Sequence, residues 1–167
     1  VTQLEHMSQA AQLAEQGGFD EEVILAAFLH DVGHICVSSY AANTMNGYGI
    51  INHENAGAAF LKSRGFSNRL IQLVQKHVDA KRYLTFKYPA YYEQLSEASK
   101  ITLTHQGGMM NDNEALQFEA NPLHELIIEM RRIDEMAKEE NLHVPDLGKY
   151  KTMMEKHLLA NAIPADF

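Results

Sequence analysis

The sequence predicts an all-α fold, and three observations carry that expectation. Apolar residues recur at helical spacing through almost the whole chain. Glycines and prolines fall between these periodic stretches, where they end helices. No segment shows the sustained alternation of a half-buried strand.

The elements follow in order. Leu4, Met7, Ala11 and Ala14 share one face of a first helix, which Gly17-Gly18 ends. Asp20 is a good N-cap for a second, with Glu21 and Glu22 in the first turn, where the helix dipole favours negative charge. From Val23 to Leu29 that helix is apolar on all sides, so it is expected to be central and buried. Residues 38–49, rich in Asn, Gly and Tyr, read as a long loop, and such loops are often functional. A third helix is expected over 52–63, stopping at Gly65. Ser67 caps a fourth, whose face runs Leu70, Val74, His77, Val78, Lys81. Further helices are expected near 94–104, 123–139 and 147–159, bounded by Gly107-Gly108, Pro122 and Pro145.

Composition narrows the function. The 167 residues fit one domain spanning 1–167, and 46% apolar with 22% charged residues is an ordinary globular balance. No apolar run approaches the ~20 residues of a membrane helix. A net charge of −8 argues against nucleic acid as partner. The single cysteine, Cys36, excludes an internal disulfide and fits a reducing cytoplasm. The chain opens at Val1 without a basic and apolar leader, and a further segment is expected upstream. Oligomeric state is not readable from these features.

The histidines carry the chemistry. His6, His30, His34, His53 and His77 lie on otherwise apolar helical faces, one or two per helix across the first four helices. Asp31 follows His30 at the end of the most buried helix. A lone buried carboxylate is very costly unless it is paired or binds a metal. Imidazoles with carboxylates suit iron, manganese, zinc or nickel, and the lack of a second cysteine excludes a thiolate site. A carboxylate flanked in space by histidines can bridge two metals ~3.5–4 Å apart. Asp134 supplies a further acid, with Arg131 three residues before it on the same face. His105, His124, His143 and His157 fall outside this set and read as surface or packing residues.

The order His6, His30-Asp31, His53, His77, Asp134 resembles the HD superfamily, whose ligands come as His, His-Asp, His, His, Asp from a helical core. The resemblance spans nearly the whole chain and implies an HD-domain helical bundle with a buried dinuclear site. Most HD proteins are phosphohydrolases. A smaller branch comprises mixed-valent di-iron oxygenases, namely myo-inositol oxygenase and the phosphonate-degrading PhnZ-like enzymes. Many HD proteins continue the pair as His-Asp-x-Gly-Lys, whereas this chain has His30-Asp31-Val32-Gly33-His34, which is similar to the PhnZ-like group. So are Gln3-Leu4-Glu5-His6, Gly47-Tyr48-Gly49, His53-Glu54 and His77-Val78-x-Ala80-Lys81-Arg82-Tyr83-Leu84. Leu95-Ser96-x-Ala98-Ser99, Gln106-Gly107-Gly108, Arg131-x-x-Asp134, Val144-Pro145 and Met153-Met154-Glu155-x-His157-Leu158 extend the match.

The resemblance implies one iron on His6, His30, Asp31 and Asp134 and another on Asp31, His53 and His77, as an Fe(II)/Fe(III) pair bridged by Asp31. It implies a small organophosphonate substrate, a 1-hydroxy-2-aminoethylphosphonate or its trimethylated form. Dioxygen as co-substrate would cleave its carbon–phosphorus bond to give phosphate and glycine or glycine betaine. Asp31, His34 and Lys81 are then the expected catalytic residues. His34, Lys81, Ser99 and Arg131 are the expected substrate contacts. Lys81 lies one turn after His77 on its face, so its ammonium can reach the pocket, or else it is a solvated helix end. Arg131 can act as a counter-charge or can orient Asp134. A Tyr and an acidic residue that PhnZ-like enzymes carry upstream of the first ligand helix would precede Val1. The alternative within the superfamily is a metal-dependent phosphohydrolase of a nucleotide or small phosphate ester.

Overall fold

In the computed structural model, which describes residues 1–36, 44–45 and 47–162, every regular element is an α-helix. The only β feature among these residues is an isolated bridge between Thr44 and Ile50. The expected loop over 38–49 therefore lies largely outside the described residues, at 37–43 and 46.

Helix α1 (Gln3–Gln16) starts in a capping box in which the Thr2 side chain accepts from Glu5 N and Glu5 accepts from Thr2 N. Asp20 caps α2 (Glu21–Leu29) by accepting from Val23 N at 3.0 Å. All seven residues from Val23 to Leu29 are buried, so α2 is the central helix. Along α1 the buried stripe is Met7, Ala10, Ala11 and Ala14, whereas Leu4 is exposed, since the interface begins only at His6 and Met7. Alanines at that interface, with Ala26 and Ala27 of α2, let the two backbones approach closely and bring His6 beside His30.

After the short α3 (Gly33–Cys36), α4 (His53–Ser63) packs on α3 and on α5 (Asn68–Lys87), a 20-residue helix capped by Ser67. Helix α5 also packs on α2 and on α9 (His124–Met136), which touches α1 in turn. The short α6 (Pro89–Gln94), α7 (Glu97–His105) and α8 (Asp112–Ala120) lie between α5 and α9 in the chain. Helix α10 (Gly148–Ala160) closes the back of α2, where the fully buried Tyr150 stacks on Phe28 at 4.7 Å between ring centroids. His157 of the same helix accepts from Ser67 N and stacks on Phe66, a packing role of the kind expected. Cys36 is exposed and free. Among the described residues no helix is long and apolar enough to cross a membrane.

Candidate metal centre

Five helices deliver one cluster of imidazoles and carboxylates. His6 comes from α1, His30-Asp31 from the end of α2, His53 from the first turn of α4, His77 from α5 and Asp134 from α9. Asp134 Oδ1 lies 3.1 Å from His6 Nε2 and 3.6 Å from His30 Nε2. Asp31 stands between two halves. Its Oδ2 is 3.5 Å from His6 Nε2, while its Oδ1 is 3.2 Å from His53 Nε2 and 3.6 Å from His77 Nε2. His6, His30 and Asp31 are close enough to share one metal ion.

The backbone decides which ring nitrogens face inward. A carbonyl only accepts, so the Nδ1–H of His6 donates to Ala137 O, that of His30 to Ala27 O and that of His77 to Val74 O, each at 2.7 Å. His53 Nδ1 donates to Ile50 O at 3.2 Å. Each Nε2 is then left to the cluster, at 3.1 Å between His6 and His30 and 3.3 Å between His53 and His77. Two lone pairs at that separation repel unless a cation lies between them. This donor set, nitrogen and oxygen held in fixed tautomers by carbonyl partners, fits first-row metals.

His34 has the opposite tautomer. Asp31, His34 and His53 also lie near enough to share an ion. However, Ile50 N–H donates to His34 Nδ1 at 3.2 Å, which places the proton on Nε2 and makes that atom a donor. Its ring stacks on His53 at 4.0 Å, and Gly49, at φ +126°, passes so close that a β-carbon there would sit 2.7 Å from His34 Cε1.

Electrostatics sort the titratable groups. Burial raises the carboxyls of Asp31 and Asp134, but neighbouring charges and hydrogen-bond donors outweigh it, and both are held well below the usual carboxylate range. For Asp31 the main ones are His30 and His53, and for Asp134 they are Arg131 and His30. Burial, with the charge of Arg131, lowers the Lys81 ammonium to about 7.

Lys81 is 4% exposed, and its Nζ donates to Thr102 Oγ1 at 2.8 Å and Ser99 O at 3.4 Å, with no carboxylate within ion-pair distance among the described residues. Arg131 is equally buried. Its Nη1 pairs with Asp134 Oδ2 at 2.6 Å, and its Nη2 lies 2.9 Å from Glu135 Oε1 with no N–H directed at an acceptor. Lys81, Ser99, Thr102, Gln106 and Arg131 line the same cavity, about 320 Å³, as the histidines and carboxylates. Gln106 Oε1 is buried there without a hydrogen-bond partner.

Residues 3–137 match the HD domain family. This chain is an HD-domain protein. It is 40% identical over 157 residues to an uncharacterized protein of Acanthamoeba polyphaga mimivirus, covering 94% of this chain and 72% of that protein. It is 40% identical to the [1-hydroxy-2-(trimethylamino)ethyl]phosphonate dioxygenase (glycine-betaine-forming) of Leisingera caerulea, covering 93% of this chain and 79% of the relative. It is also 40% identical to the hydroxymethylphosphonate dioxygenase of Gimesia maris, covering 95% and 78% respectively.

The structure of this HD-domain protein adds residues that the sequence reading did not single out for the site. Gln3 Nε2 donates to Asp31 Oδ2 at 2.9 Å, and its place one turn before His6 was the available signal. Thr102 and Gln106 follow Ser99 at helical spacing. Tyr91 reaches Arg131 from α6, a contact with no local signature.

Proposed function

We propose that this HD-domain protein is a di-iron oxygenase that cleaves the carbon–phosphorus bond of a 1-hydroxyalkylphosphonate with dioxygen. The observation that carries the reading is Lys81, a buried amine with no carboxylate partner among the described residues, facing the same cavity as the histidine–aspartate cluster. Such a charge calls for an anion beside the metals. The names of two relatives supply the anion and the oxidant.

In this reading His6, His30, Asp31 and Asp134 hold one iron, and Asp31, His53 and His77 hold the other. When bound, the iron pair supplies the redox chemistry that activates dioxygen. The chain's own residues bind and orient the substrate. Lys81 offers N–H donors to the phosphonate, His34 adds its Nε2–H, and Ser99 and Thr102 lie beside Lys81. Arg131 lines the same cavity, with its charge shared between Asp134 and Glu135.

The reaction balances as R–CH(OH)–PO3H2 plus O2 giving R–COOH plus H3PO4. The carbon–phosphorus bond breaks, C1 is oxidised to a carboxyl, and dioxygen accounts for the two added oxygen atoms. The compounds to assay first are 1-hydroxy-2-aminoethylphosphonate and its trimethylated form, yielding glycine and glycine betaine, with hydroxymethylphosphonate beside them.

The test is phosphate release by the reduced iron form. Phosphate should appear only with dioxygen, at roughly one dioxygen per phosphate, and partial reduction should produce a mixed-valent EPR signal that shifts on adding substrate. Full-rate phosphate release from the phosphonate under strict anaerobiosis would overturn the oxygenase reading, and turnover of a nucleotide or phosphate ester without dioxygen, with zinc or manganese in place of iron, would identify a phosphohydrolase.

A further inference from the structure

Arg131 is held from three sides. Its Nε donates to the Tyr91 hydroxyl at 3.0 Å, its Nη2 lies 2.9 Å from Glu135 Oε1, and its Nη1 pairs with Asp134 Oδ2 at 2.6 Å. Tyr91 in turn donates to Glu135 Oε1, closing a ring through Arg131, Tyr91 and Glu135. Asp134 and Glu135 occupy positions i+3 and i+4 from Arg131 on α9, so both reach its guanidinium, whereas Tyr91 arrives from α6. Neither Tyr91 nor Glu135 touches the imidazoles, and both line a neighbouring cavity with Ser96, Ser99 and Lys138.

We propose that Tyr91 and Glu135 are positioning residues for Asp134, acting through Arg131, and that they set the affinity of the His6–His30–Asp134 half of the centre. This rests on the two-metal reading above. Arg131 occupies Oδ2 of Asp134, so only Oδ1 is presented to His6 and His30. An arginine held by Asp134 alone could swing about that contact and carry the carboxylate with it. Tyr91 fixes Nε and removes that freedom. Glu135 also offsets the charge of Arg131, which would otherwise draw on Asp134 and repel a cation bound a few ångströms away. The His53–His77 half receives no contact from this ring.

The test is Mn(II) binding to the metal-free full chain, followed by EPR of free Mn(II), with Glu135→Gln and Tyr91→Phe placed in two backgrounds. His53→Ala leaves the His6–His30–Asp134 half, and His6→Ala leaves the other half. In the His53→Ala background both substitutions should weaken the remaining site about tenfold, and in the His6→Ala background by less than about twofold. Tyr91→Phe removes one hydroxyl, so it carries the test if Glu135→Gln does not fold. Equal weakening in both backgrounds, as a purely structural role would give, overturns the proposal. No weakening in the His53→Ala background overturns it as well. A wild-type chain that binds a single equivalent overturns the two-metal reading, and the proposal with it.

Discussion

The Nε2 atoms of His53 and His77 lie 3.3 Å apart while each Nδ1 is committed to a carbonyl oxygen, so in the metal-free chain one of the two rings must carry a second proton to relieve the repulsion of facing lone pairs. His77 is kept neutral, lowered to about 3 by burial and by His30 and His53. His53 is raised, because Asp31 and Glu54 outweigh the effect of burial. The same holds in the other half. Burial disfavours charge on His30, but Asp31 and Asp134 outweigh it and raise the group to about 9. A proton thus stands in for the positive charge of a metal in each half.

Metal loading near neutral pH should therefore release protons, and apparent affinity should rise with pH through about 9, where His30 loses its proton. For the metal-free chain the sign is opposite. The stability that His30 contributes is complete below its ordinary value of 6.5 and is lost as pH rises through about 9. An indicator dye during Mn(II) or Fe(II) titration measures the release, and uptake with no proton appearing would refute this account.

Asp31→Asn should lose at least one metal equivalent and all activity, because its carboxylate lies against both halves of the cluster. An amide keeps the shape but replaces one oxygen with a nitrogen that is a poor ligand. Metal analysis of the purified variant decides the point, and two retained equivalents would exclude a bridging role.

Lys81→Met should leave metal content intact while raising KM roughly ten- to a hundredfold, the effect of losing a contact of ~1.5–3 kcal/mol to a charged group. It should also stabilise the metal-free chain at neutral pH, by ~1–4 kcal/mol if the methionine packs well. Since folding lowers this ammonium from 10.5 to about 7, the unfolded chain holds more protons between those values, and wild-type stability rises with pH across that window. The gain from Lys81→Met should fade accordingly. Unfolding midpoints at several pH values measure it, and a variant less stable at every pH would contradict the reading.

His34→Ala should keep both metals and weaken substrate binding, because His34 presents a protonated Nε2 and not a lone pair. Burial and the charge of His53 lower its pKa to about 4, so the ring stays neutral and its donor capacity should change little between about 5 and 8. Loss of a metal equivalent in this variant would make His34 a ligand after all.

Much of this arrangement was legible in the sequence, because helices announce themselves locally. Asp20 and Ser67 cap where expected, and the seven-residue apolar run of α2 is buried throughout. The six residues expected together, from His6 to Asp134, do lie together. Helices α3 and α6 are too short for a periodic signal. Helix α8 did leave one, since Asn111 and Glu114 form a capping box just after Gly107-Gly108. The tautomer of His34 and the reach of Tyr91 depend on chain segments 16 and 40 residues away, so no local pattern could reveal them.

Gly33 gives the site its scale. A β-carbon there would fall 1.7 Å from the carbonyl oxygen of His53 and 2.9 Å from Gly57 N, so α3 and α4 meet main chain to main chain. The separation of the two helices is a hard stop made of backbone, lying between Asp31 and His53 in the fold. Replacing one hydrogen by a methyl group at this stop would force His53 outward by an ångström or more, whereas a metal–ligand bond tolerates about 0.2 Å. The gauge of the centre is thus set by a residue that carries no ligand atom, and retuning it would require moving a whole helix rather than exchanging a side chain.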